Sequence, residues 1–197
     1  MFLFNREVWF SSPPKYDIVI FDKTNSKYIA DYILGGLPYY IYEVRPGKIF
    51  ISPLVIYFFL KSLFSCRWNN QIPKTRKFKF LLYKLLHYYH LCCFELICPK
   101  VVITYIDNSG LFHWLCKKYS CAEFVAIQNG HSTNNQLKNS TKQYHQHFFC
   151  FGNYEKDLYM KFKYSVENYY PIGSLLAGYY KFKNPDNNKI IYDICEI

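Results

Sequence analysis

The segment FVAIQNGHST, residues 124–133, runs from four apolar residues straight into Gln128, Asn129, Gly130 and His131. An imidazole titrates near neutrality, so a histidine at such an exit can act as a general acid or base. It is equally at home as an exposed loop residue. A second apolar run, KVVITYID, ends at Asp107 and is followed by Asn108 and Ser109. A carboxylate placed there can accept a proton from a hydroxyl. The same three residue types also cap the first N–H groups of a helix, and both roles stay open.

Other apolar runs leave through similar residues. Asp22 and Lys23 follow the first, Glu43 and Arg45 the second, Gly152 and Asn153 follow HFFCF, and Gly173 and Ser174 follow NYYPI. Glycines at these points either make tight turns or let backbone N–H groups approach a phosphate or sugar. No GxGxxG or GxxxxGK[ST] pattern is present, which argues against the common dinucleotide and P-loop sites. No GxSxG elbow accompanies His131, which argues against a Ser–His hydrolase. HYYHLCCFELIC (87–98) and HQHFFC (145–150) lack zinc-ligand spacing, and adjacent cysteines on a helix point about 100° apart. No metal site is expected.

These exits need elements to hold them. Apolar runs of strand length, YDIVIFD (16–22), YYIYEV (39–44), KVVITYID (100–107), EFVAIQNG (123–130), HFFCFG (147–152) and ENYYPIG (167–173), alternate with helix-length stretches. TNSKYIADYIL reads as a helix with Thr24 or Ser26 near its cap, and 52–64 as another. A longer helix starts near Phe78, with Leu81, Leu82, Leu85, Leu86, Tyr89, Cys92, Cys93, Leu96 and Ile97 on one stripe and His87 off it. NSGLFHWLCKKY and NYEKDLYMKFK complete the helices, and HSTNNQLKNSTKQ reads as a long polar loop. This alternation predicts an α/β fold, a Rossmann-like parallel sheet with helices on both faces. Ligands of such sheets bind beyond the carboxyl ends of the strands, where all these exits lie.

With 197 residues and 51% hydrophobic content, the chain can build a sizeable core. The net charge of +10 favours nucleic acid, an anionic membrane face or phosphorylated substrates. The densest basic cluster is KTRKFKFLLYK, carrying Lys74, Arg76, Lys77, Lys79 and Lys84. It is either a solvated helix face or a patch for acidic headgroups and phosphates. No helix-turn-helix, zinc-finger or RNP pattern is present, so no nucleic-acid partner is expected. MFLFNREVWFSSPPK has a charged pair inside any apolar leader, so the eight cysteines are expected to be reduced, mostly buried thiols of a cytoplasmic protein. IFISPLVIYFFL is too short for the roughly 20 residues of a membrane span and contains Pro53, so it reads as a core helix or interfacial segment.

PKVVITYIDNSGLFHWLCKKY, FVAIQNGHS, FFCFGNYEKDLY and YYPIGSLLAGYY, with PPKYDIVIFDKTNS and YYIYEVRPGKIFISPLVIYFFLKS at the front, together resemble the bacterial surface carbohydrate biosynthesis proteins, a GT-B-like family of capsule and lipopolysaccharide synthesis. The order DNS, QNG, FG…E is the specific part. The resemblance implies the acceptor-side, N-terminal half of a GT-B-type glycosyltransferase over residues 1–180. It also implies a linker and the first strand of a C-terminal donor domain over 181–197, which opens with NPDNN and KIIYDICEI. The nucleotide-sugar donor would belong to that second domain, and no cofactor to this one. The partner implied is a glycan or lipid-linked acceptor at the inner membrane surface.

Residue by residue, the resemblance places Asp107, Asn108, Gln128, Asn129, Gly130 and Gly152 on the cleft side. The family commonly carries arginine near the position of His131, which implies an anion- or acceptor-contacting role there. An inverting transfer needs a base for the acceptor hydroxyl, and either Asp107 or His131 qualifies. Two alternatives remain: transfer of a polyol phosphate from a CDP-activated donor, as in teichoic acid polymerases, and a non-catalytic glycan- or membrane-binding module.

Overall fold

Each of the six apolar runs becomes a strand of one parallel sheet. A computed structural model describes residues 7–44, 47–65, 77–139 and 143–183. The elements in chain order are β1 (Val8–Trp9), β2 (Ile18–Phe21), α1 (Ser26–Tyr28, continued by a π-helical turn Ile29–Leu34), β3 (Tyr40–Tyr42), β4 (Ile49–Phe50), α2 (Pro53–Ser65), α3 (Lys77–Ile97), β5 (Val101–Thr104), α4 (Gly110–Lys118), β6 (Glu123–Ile127), α5 (Asn134–Asn139), β7 (Tyr144–Cys150), α6 (Asn153–Lys161), β8 (Ser165–Pro171) and α7 (Leu175–Lys183).

The sheet order is β3-β2-β5-β6-β7-β8, and every pairing is parallel. Ile20 lies beside Ile103, Thr104 beside Ala126 and Ile127 beside Phe149, so the carboxyl ends stand close to level. The chain steps outward from β2 to β3, then crosses back to place β5 on the other side of β2. That reversal is the switch point where open parallel sheets bind ligands.

Both faces are covered, which is why the central strands are apolar throughout. On one face Phe21, Phe94, Phe112, Phe124 and Phe148 are fully buried, with Phe112 edge-on to Phe21 and to Phe124 at 5.4 Å each. Burying each such ring stabilises the fold by about 2–3 kcal/mol. On the other face Ile20, Ile103 and Ile127 meet Ile29 and Leu34 beneath α1, and Leu175 of α7. The last helix returns across this face to α1, where Tyr179 stacks edge-on against Tyr28 at 4.8 Å. The result is a Rossmann-like α/β sheet flanked by helices.

Several local expectations are corrected. Strands β1 and β4 form a separate parallel pair that two-residue lengths conceal in the sequence. The polar stretch after His131 contains α5, seated by one buried leucine, Leu137. Neither Thr24 nor Ser26 caps α1; the cap is Asn25 in a left-handed conformation (φ 56°), with no side-chain bond. His87 is buried against Trp114 at 5.0 Å, while Leu82 on the supposed stripe is exposed. Among the described cysteines all six are unpaired, but only Cys92, Cys93 and Cys150 are buried, and Cys98 and Cys121 are exposed. Burial pushes the Cys93 thiol up to about 11, away from reactivity. Helix α7 continues through Tyr180 to Lys183, and the strand expected in KIIYDICEI lies outside the described residues.

Candidate functional site

The exits of β5, β6 and β7 converge on a carboxyl–imidazole cluster beside the switch point. At β5 the hydroxyl of Thr104 donates to the Phe21 carbonyl of β2 at 3.1 Å and accepts from the Ile106 N–H at 3.0 Å. This fixes the turn that delivers Asp107, which is buried. Burial pushes the Asp107 carboxyl up to about 7; its own N–H and those of Asn108 and Asn129 pull it down, and the Glu155 carboxylate adds to the rise. A carboxyl in that range exchanges protons near neutrality.

Behind Asp107 lies His113 of α4. Its Nε2 stands 2.7 Å from the Asp107 carbonyl and its Nδ1 2.7 Å from the Tyr144 carbonyl at the start of β7. Both partners only accept, so the single N–H of a neutral ring can serve one carbonyl at a time. Burial lowers the pKa of His113, and those two carbonyls oppose the shift. The next ring, His145, packs edge-on at 4.4 Å, and burial takes it down to about 3, so it stays neutral.

At the β6 exit the imidazole of His131 bonds through Nδ1 to Oε1 of Glu155, in the first turn of α6 after β7. The exposure of the two side chains differs sharply: 41% for His131 and 5% for Glu155. His131 also lies over Tyr154, with rings 6.2 Å apart and nearly parallel. With Nδ1–H donated to the carboxylate, the free pair of His131 sits on Nε2, the tautomer a general base requires. Next along the chain, Ser132 Oγ is 3.2 Å from the hydroxyl of Tyr159. Burial, and then the charge of Asp107, raises the Tyr159 pKa.

The other expected residues divide by role. Gln128 is fully buried and its amide is consumed: Nε2 donates to the Gly130 carbonyl at 2.9 Å, and Oε1 accepts from the Phe151 N–H at 3.0 Å. It is a buried clamp holding the β6 and β7 exits together. Ser109 is the N-cap of α4, accepting from the Phe112 N–H at 3.4 Å. Ser174 does the same for α7, through the Ala177 N–H at 3.4 Å. Gly173 needs its glycine, at φ +98°. Gly130 and Gly152 have no such conformation, and a Cβ at either would meet nothing within 4 Å, so both leave open space at the rim. Asn108 and Asn129 are exposed beside Asp107. Asp22, at the β2 exit, is turned on its own loop, accepting from the Thr24 N–H and hydroxyl at 3.0 Å each.

Of the basic stretch, Lys74 and Arg76 lie outside the described residues. Lys77 and Lys79 open α3, and Lys84 is half-buried on it. Glu155 and Tyr159 were not candidates from sequence. Glu155 stands within the FG…E motif, but only folding brings it 24 positions back to His131. Comparison of the chain with protein-family models, curated proteins and solved structures finds no match in any of the three.

Proposed function

We propose that this domain binds a glycan acceptor at the carboxyl edge of its sheet and supplies the base for glycosyl transfer in bacterial surface polysaccharide synthesis. The observation that carries the proposal is the His131–Glu155 pair, an accessible imidazole backed by a buried carboxylate at the β6 and β7 exits. In this account His131 Nε2 takes the proton of the acceptor hydroxyl as that oxygen attacks the anomeric carbon of the donor, whose bond to the nucleotide phosphate oxygen breaks, the nucleotide leaving with the electron pair. Glu155 orients the ring and stabilises the imidazolium that forms. Asp107 sits behind them as a carboxyl that changes protonation near neutrality, and Asn108 and Asn129 offer amide groups to sugar hydroxyls. The donor nucleotide-sugar would be held by a second domain.

The test is acceptor binding by the protein on an array of bacterial surface glycans, followed by calorimetry with each hit. A hit whose Kd rises about tenfold or more in His131→Ala supports the proposal. An array without hits, or hits indifferent to His131→Ala, contradicts it.

A further inference from the structure

The charge of the chain is concentrated in one stretch. Between Glu43 and Glu95 there is no acidic residue, and there are nine Lys or Arg. The remaining fifteen nearly balance the fourteen Asp and Glu, so almost all of the +10 resides in this quarter of the chain. The same stretch contains α2, and α2 is inside out. At about 100° per residue, Leu54, Lys61, Tyr57, Leu60 and Ile56 fall on one arc, and Val55, Phe58, Phe59 and Ser62 on the other. The second arc packs inward: Val55 is buried, and Ser62 lies 3.5 Å from Cys92 of α3. The first arc is open, with Leu54 53%, Ile56 49%, Tyr57 60% and Leu60 48% exposed.

The open arc extends beyond the helix. The Ile51 N–H donates to the Trp9 carbonyl at 2.8 Å, which brings the exposed Trp9, Phe10 and Ile51 to the start of α2. On α3, Leu82 and Tyr83 are also exposed. A water-facing helix normally presents charge; this one presents leucine, isoleucine and tyrosine around a single lysine. Among the described residues no helix is long and apolar enough to cross a membrane. Apolar exposure, interfacial Trp and Tyr, and a stretch of sequence rich in cations together match the surface of an anionic bilayer.

We infer that the outer arc of α2, with the adjoining Trp9–Phe10 edge, is an interfacial docking surface for an anionic lipid bilayer. Leu54, Tyr57 and Leu60 enter the headgroup boundary, and Lys61 on the same arc and Lys48 beside the Trp9 ring engage the lipid phosphates. The inference does not rest on the glycosyl-transfer proposal.

The experiment is co-sedimentation of the full chain with phosphatidylcholine vesicles made with and without phosphatidylglycerol. Binding is expected to phosphatidylglycerol vesicles, weaker to phosphatidylcholine alone, and weakened by salt. Leu54→Asp/Leu60→Asp should lower the partition coefficient at least about tenfold with an unchanged circular dichroism spectrum. Lys61→Glu keeps the apolar arc and should lower it several-fold, which preserves the test if the double variant does not fold. Wild-type binding by Leu54→Asp/Leu60→Asp, or equal binding to both vesicle types, overturns the inference. So does a dimer that this variant dissociates while the wild type ignores vesicles, which would assign the face to a second copy of the chain.

Discussion

His131 Nδ1 is hydrogen-bonded to Oε1 of Glu155, joining a solvent-accessible imidazole on the β6 exit to a carboxylate buried in the first turn of α6. Two strands must end level for these side chains to meet, and the Ile127–Phe149 register ensures that they do. The pair has one open end, at Nε2, and one closed end, at the carboxylate. That polarity is what a base for a hydroxyl group needs.

The two residues should therefore act as one unit. In a preparation that transfers sugar, His131→Ala lowers turnover by about a hundred-fold or more, and Glu155→Gln by a similar order. The double variant should lose no more than about threefold beyond the single ones, because residues acting together are not additive. Multiplying losses in steady-state kinetics would show that the two residues act independently.

Asp107 should tie stability to pH. Its folded-state carboxyl lies near 7, against an ordinary value of 3.8. The folded chain therefore holds a proton that the unfolded chain releases between those values. The stabilisation from the protonated form is complete below about pH 4 and is lost as pH rises through about 7. The full effect is of order 4 kcal/mol. Asp107→Asn removes this slope, so urea denaturation at pH 5.5 and pH 8 should show a smaller difference for the variant than for the wild type. Equal slopes would refute the placement of the carboxyl.

Gln128 was expected to contact a ligand, and the structure spends its amide on two backbone groups. Gln128→Leu strands the Phe151 N–H and the Gly130 carbonyl, at a cost of about 2–3 kcal/mol. Denaturant titration measures this directly. A loss under about 0.5 kcal/mol would mean that the clamp does not hold the two exits.

His113 is a comparable strut on the other side of the site. His113→Phe keeps the aromatic contact with Phe112 at 5.7 Å but removes the ring N–H available to the Asp107 and Tyr144 carbonyls. A destabilisation of about 2–4 kcal/mol is expected, with faster amide exchange at the β5 exit. Unchanged exchange around Asp107 and Asn108 would contradict that role.

The sheet was legible because its strands are buried on both faces and so read as unbroken apolar runs. IVIF, VVIT and EFVAI need no long-range information to be recognised. The Ser109 cap was legible for the same local reason. Strands β1 and β4 were not, since two residues carry no period, and α5 shows a single apolar residue among polar ones. The site was half visible. Asp107, Asn129 and His131 stand at strand exits, where topology places ligands. Glu155 was hidden, because an acid in the first turn of a helix also suits the helix dipole, and only the β6–β7 register reveals its partner.

The most direct test of the central claim is an NMR titration of the labelled protein with the glycan that binds best on the array. The account predicts that the amides of Asn108, Asn129 and Ser132 and the imidazole of His131 shift together, with one midpoint. Shifts confined to β8 and α7, with His131 and Asn129 unmoved at saturation, would contradict it.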